Sequence, residues 1–288
     1  MSFIYANKEE LKFGNEVIKQ LHICSDTKAT FGNNYSNWTE KTKKAIDIWG
    51  IVKTLIITPK CCISFAGNNI IHVNKLLSWV DDQGTVSVDE MCAKAYEIHK
   101  AAPENDIEFI VCHIDSQNEH HITCIKNKKI EFDCVNAWIG SQETFLLMQK
   151  YRMKSFQDNL NVNDTASLFR KAVKGTKDTT VGGLFLIDVR TSLKNEFVYS
   201  EKLESVYDLP QTIQPGNPIV LFGSVSEGGY TVNYRESQEQ VIIDIQQADL
   251  TVCFTKECRL TQFDADNHNS KYFLLPILYT TSTGKVLL

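Results

Sequence analysis

Lys53 and Gly67 bracket the segment of the chain with the clearest chemical potential, KTLIITPKCCISFAG. A lysine ammonium held beside a hydroxyl or thiol stabilises the anion and lowers its pKa. A glycine at the far end allows close backbone approach, so that a bare N–H can meet a developing oxyanion. The segment reads as two strands joined at the Pro59-Lys60 turn, the proline giving up a ladder donor at the corner. What it lacks is an evident nucleophile. Cys61 and Cys62 are adjacent on a strand and must point to opposite faces.

The other chemically suggestive residues carry less. Nine cysteines are scattered through apolar, strand-like runs and none forms a CxxC pair. An odd, scattered set suits reduced, buried, structural thiols better than disulfides or redox chemistry. His120 and His121 share a strand, project to opposite faces, and have neither an HExxH frame nor a carboxylate partner in the sequence. No metal site and no cofactor are expected. Gly182-Gly183 lacks the spacing of a phosphate loop. The run from Gly223 to Gly229 is a turn between strands and not a nucleophile elbow, because no helix follows it.

The composition is that of a globular protein, with 43% apolar residues in a chain of 288 and a net charge of −5. That balance offers nothing to nucleic acid or to an anionic membrane. No apolar run reaches the roughly 20 residues of a membrane-spanning helix. The first residues, MSFIYANK, lack the features of a signal peptide, so a cytoplasmic location is expected.

The elements that must position Lys53 and Gly67 follow from periodicity and punctuation. Residues 2–6 and 18–25 read as strands around a polar connection, residues 7–15, and residues 26–37 as loop. Residues 70–80 carry apolar side chains at helical spacing, and Ser87 with Glu90 forms a capping box opening a second helix to about residue 100. Short strands are expected at 108–115, 120–126 and 129–135, a helix from about 139, another from 164–165 to 174, and a strand at 184–189. The order is strands, two helices, strands, two helices, strands. Clustered helices exclude a doubly wound parallel sheet. They point to an α+β fold, a four-layer α/β/β/α sandwich of two antiparallel sheets flanked by helix pairs. Residues 1–202 form that domain, and residues 203–288 are a β-rich extension with strands at 219–224, 230–234, 241–245, 250–255 and 272–279.

Four segments in this order, SDTKAT at 25–30, the Lys53–Gly67 hairpin, WIGS at 138–141 and AVKGTKDTTVGG at 172–183, together resemble the proteasome β-subunit and HslV-type peptidases. These are threonine-type peptidases of the N-terminal nucleophile hydrolase fold. The resemblance covers residues 2–200 and implies a cytoplasmic, proteasome-like hydrolase, a protease acting on peptide or amide bonds and assembling as a homo-oligomer or ring. It places the nucleophile at Ser2, exposed by removal of Met1, with the Ser2 α-amine as general base. An α-amine has a pKa near 7.7–8, which suits a base at neutral pH. Asp26 and Lys53 match the family's acid–lysine pair, Gly67 its oxyanion donor, and Ser141 and Asp178 its supporting hydroxyl and carboxylate.

The chain also departs from the family pattern. The supporting motif usually reads Asp-x-x-Ser-Gly-Gly, whereas Val181 stands at the serine position here. Gln142 follows Ser141 where glycine is common, and the hairpin between Ser2 and Asp26 is longer than usual. Serine replaces threonine as nucleophile. Two alternatives therefore stand beside the peptidase: a non-catalytic scaffold or ring subunit, and an amidase for small molecules on the same fold. Local readings also remain open, with Asp26 as a turn cap and Ser141 and Asp178 as helix-cap or loop residues.

Overall fold

The computed structural model describes residues 2–13, 16–28, 53–69, 71–83, 86–104, 106–157, 165–183 and 185–199, and the strand segments 204–205, 218–221, 230–236, 240–245, 250–255 and 277–280. It is a mixed α+β protein with antiparallel sheets and four helices among those residues.

The chain opens with the longest hairpin, β1 (Phe3–Phe13) against β2 (Glu16–Asp26), in register from Ile4↔Ser25 to Phe13↔Glu16. The expected polar connection at 7–13 is therefore strand. Lys8, Glu9 and Glu10 are consecutive on a paired ladder, where Glu10 faces Lys19 and backbone hydrogen bonding outweighs low strand propensity. Two further strands flank the hairpin: β8 (Asn136–Gly140) pairs with β1, and β9 (Phe185–Thr191) pairs with β2. β10 (Phe197–Tyr199) and β11 (Glu204–Ser205) both pair with β9.

The second sheet runs in sequence order. It contains β3 (Thr54–Thr58), β4 (Cys61–Ala66), β5 (Glu108–Ile114), β6 (His120–Lys126) and β7 (Lys129–Glu131). The Pro59-Lys60 corner is as expected, with a register shift between Ile56 and Thr58. β7 is shorter than its expected span, and residues 139–140, expected to open a helix, instead end the strand that pairs with β1.

The helices are α1 (Ile71–Gln83), α2 (Val88–Ala101), α3 (Gln142–Gln157) and α4 (Thr165–Gly175). The capping box that opens α2 is complete: Ser87 Oγ accepts from Glu90 N–H, and the Glu90 carboxylate accepts from Ser87 N–H. Alternation along β1 decides which helices lie on which side. Phe3 and Tyr5 pack with Met148 of α3 and with Ala166, Leu168 and Phe169 of α4, Phe3 stacking on Phe169 at 4.8 Å. Ile4 and Ala6, on the other face, join one apolar cluster with β3–β6 and with Val73, Leu76, Met91 and Ala95 of α1 and α2.

Cys24, Cys61, Cys62, Cys92, Cys112 and Cys124 are buried and unbonded to one another, and Cys134 is half-buried. Burial pushes the Cys92 thiol up to about 11 and the Cys124 thiol up to about 12, which keeps both protonated and unreactive at neutral pH. In the C-terminal region β12 (Pro218–Leu221), β13 (Tyr230–Glu236), β14 (Gln240–Ile245), β15 (Leu250–Thr255) and β16 (Ile277–Thr280) pair antiparallel in sequence order. Most of the expected loop at 26–37 and the apolar run 45–52 lie outside the described residues. No described helix is long and apolar enough to cross a membrane.

Candidate active site

Asp26 ends β2 with its carboxylate fully buried, so every lone pair left without a donor would be costly. Three donors converge on it. Oδ1 accepts from Lys53 Nζ at 2.8 Å and from the backbone N–H of Phe3 at 2.9 Å, and Oδ2 accepts from Gly182 N–H at 3.0 Å. Lys53 immediately precedes β3, points inward, and donates a second bond to the Lys28 carbonyl at 2.6 Å. Burial pushes its pKa below the ordinary lysine value, and the charge and hydrogen bond of Asp26 oppose that shift. Asp26 therefore does more than cap a turn. It joins the starts of β1 and β3 to the Gly182 loop.

The Gly182 loop explains the conformation of a glycine pair that lacks the spacing of a phosphate loop. Gly182 and Gly183 have φ of +139° and +106°, a region that side-chain-bearing residues avoid. A Cβ on Gly183 would lie 2.3 Å from Thr27 Oγ1. The pair lets the loop close on β2, where Thr27 N–H and Lys28 N–H both donate to the Gly182 carbonyl.

Ser2, only 5% exposed, sits just before β1, and its carbonyl accepts from Ser141 N–H at 2.7 Å. Gly140 makes this contact possible: its φ is +86°, and a Cβ there would stand 1.9 Å from Ser2 O and 3.3 Å from Ala66 Cβ. Gly140 N–H donates to Glu108 Oε2 at 2.8 Å, a carboxylate that the sequence did not single out. Ala66 thus borders the Ser2 corner, and Gly67 follows it. The backbone at Gly67 lies against residues 106–107, since a Cβ there would be 2.1 Å from the Asp106 carbonyl. That carbonyl also accepts from Asn68 and Asn69.

Ser141 and Asp178 are linked through the start of α3. Ser141 Oγ accepts from Thr144 N–H and from Thr144 Oγ1, so it caps the helix. Thr144 Oγ1 reaches Thr176 Oγ1 at 3.0 Å, and Glu143 accepts from Lys177 N–H, which holds the segment before Asp178 against α3. Burial pushes the Asp178 carboxyl up, but hydrogen bonds from Ser141 and Thr180 outweigh it and hold the pKa below the usual carboxylate value. Thr180 donates to Asp178 Oδ1 through both N–H at 2.9 Å and Oγ1 at 2.5 Å. Val181 instead turns into the apolar cluster around Phe3 and Phe169. Ser141 is thus a helix-cap residue and Asp178 a loop residue, and the two are joined by a hydrogen bond.

One expectation about the histidines needs correcting. His121 has carboxylate partners after all, Asp115 at 3.3 Å and Asp133 at 3.2 Å, brought to it by the turns that flank β6. His113 stacks on it with ring centres 4.6 Å apart. His120 is buried and His121 half-buried, in line with their opposite faces. Compared with models of known protein families and with curated protein sequences, the chain matches none.

Proposed function

We propose that this protein is an amide hydrolase that uses Ser2 as nucleophile once Met1 is removed. Its plan is that of the proteasome-like N-terminal nucleophile hydrolases, with the two helix pairs outside two facing sheets as a four-layer α/β/β/α sandwich. The observation that carries the reading is the Asp26 carboxylate, which binds the backbone of Phe3, the residue after Ser2, and the buried Lys53 ammonium on the same oxygen. One carboxylate thus indexes the candidate nucleophile to the candidate pKa-lowering cation.

In this reading the freed Ser2 amine takes the Oγ proton while Oγ attacks the substrate carbonyl. The C–N bond then breaks, with the proton passing to the leaving amine. Water, deprotonated by the same amine, hydrolyses the resulting ester. Gly67 N–H faces the oxyanion, and Asp178 and Ser141 orient the amine. Peptides are the substrate class, and a homo-oligomer or ring is the working assembly. The burial of Ser2 favours a second reading, a non-catalytic scaffold of the same fold.

Intact-mass measurement and an electrophilic amide-mimicking probe separate the two. Hydrolysis requires Met1 to be absent and the probe to label Ser2, with Ser2→Ala abolishing labelling and peptide cleavage while the melting temperature holds. Retained Met1 or an unlabelled Ser2 supports the scaffold. Cleavage of small acyl-amides but not peptides would identify a small-molecule amidase.

A further inference from the structure

We propose that His22, Cys24 and Asp188 form a binding site for a divalent metal ion of the zinc class, on the face of the first sheet that packs against α3 and α4. His22 and Cys24 are two residues apart on β2 and so share a face, and Asp188 on β9 lies directly opposite Cys24 in the ladder. One donor atom from each lies within 4.8 Å of the others, and all three residues are buried. His22 Nε2 is 2.6 Å from Asp188 Oδ1 and 3.4 Å from Cys24 Sγ. Ligand bonds of about 2.0–2.3 Å in a tetrahedral zinc site separate ligand atoms by roughly 3.3–3.7 Å. A small opening of the His22–Asp188 contact would therefore admit the ion.

The supporting partners are those a metal site uses to orient its ligands. Nδ1 of His22 faces Glu9 Oε1 across the ladder at 3.5 Å, leaving Nε2 toward Cys24 and Asp188. Oδ2 of Asp188 accepts from Arg190 Nη2 at 2.7 Å and Nε at 3.0 Å, whereas Oδ1 accepts only a longer bond from Nε at 3.2 Å, the one an ion on Oδ1 would replace. Metal binding releases the protons of the Cys24 thiol and the His22 ring; the thiolate, Glu9 and Asp188 then carry three negative charges and Arg190 one positive, which a divalent ion brings to neutrality. Nitrogen, sulfur and oxygen donors together suit zinc better than calcium or magnesium. Glu9 also lines a cavity of about 320 Å³ together with Arg152 and Thr165. Short-range sequence reading misses this set because Asp188 meets β2 only through sheet pairing.

The test uses the full chain, prepared without a metal-affinity tag, refolded with zinc or cobalt and freed of loose ions by gel filtration. About one ion per chain and a thiolate-to-cobalt charge-transfer band are expected. Cys24→Ser, which keeps side-chain volume and fold, is expected to lose the band and the upward shift of melting temperature with added zinc. The absence of stoichiometric metal and of the band overturns the proposal in favour of a closed ion-pair cluster. So does full retention of both in Cys24→Ser. Neither result bears on Ser2, whose test reads labelling and cleavage.

Discussion

Lys53 Nζ and Asp26 Oδ1 lie 2.8 Å apart, both withdrawn from solvent, at the junction of β1, β2 and β3. A buried pair of this kind adds little net stability over an apolar replacement, but breaking it strands a charge. Lys53→Met is therefore expected to destabilise the fold by about 3–5 kcal/mol, measured by urea unfolding. Asp26→Asn combined with Lys53→Met should recover part of that loss, because no unpaired carboxylate remains. A double variant as unstable as the sum of the singles would show that the pair does not couple.

Gly140 supplies a sharper test of how Ser2 is placed. An alanine there would combine a φ of +86° with a Cβ 1.9 Å from the Ser2 carbonyl, which is backbone and cannot swing aside. The left-handed conformation alone costs roughly 1–2 kcal/mol for an L-residue, and the collision adds to it. Gly140→Ala should lower the denaturation midpoint and, if Ser2 is the nucleophile, reduce probe labelling further than the loss of folded protein accounts for. Wild-type stability in Gly140→Ala would contradict the close approach.

These two positions show why the sequence was legible where it was. Lys53, Pro59 and Gly67 announce themselves through local contrast: a charge opening an apolar run, a corner, a strand end. Ser87 and Glu90 do the same for α2. The 7–13 stretch misled because polar side chains say little about a backbone whose hydrogen bonds are supplied by a partner strand. The contacts of Gly182, Glu108 and Asp188 stayed hidden for a different reason. Their partners, Asp26, Gly140 and Cys24, are distant in sequence and meet them only through tertiary structure: Cys24 and Asp188 by pairing within the first sheet, Asp26 and Gly182 where a loop closes on it, and Gly140 and Glu108 between the two sheets.

Thr180 and Val181 are adjacent but face different surroundings. Thr180 Oγ1 bonds Asp178, and Val181 packs beside Phe3 and Phe169. Thr180→Val should cost about 0.5–1.5 kcal/mol for the lost hydrogen bond and raise the pKa of Asp178. Val181→Ser should destabilise the fold, since it places a hydroxyl in an apolar cluster at a cost of about 1–3 kcal/mol. Unfolding curves of the two variants check both values, and a stabilised Val181→Ser would show that the cluster accommodates a hydroxyl.

The pH dependence of stability is expected to carry a signature of β5 and β6. Burial holds the pKa of both His113 and His120 below the ordinary histidine value of 6.5. The neighbouring His121 charge adds to this at both, whereas Asp115 opposes it at His113 and Glu119 at His120. His113 Nδ1 and His120 Nε2 are buried without a hydrogen-bond partner, so neither nitrogen has an acceptor waiting for an added proton. For a group whose folded pKa is depressed, the unfolded chain binds the proton first. The contribution is fully present above 6.5 and is lost as pH falls through the lower folded values. Comparing the parent with His113→Gln/His120→Gln cancels the titrating groups distant from them and leaves these two histidines with their coupling to His121. The parent's urea midpoint should fall relative to the variant's as pH drops from about 7.5 to about 5.5. Parallel curves over that window would mean that these two histidines protonate in the fold as readily as in the unfolded chain.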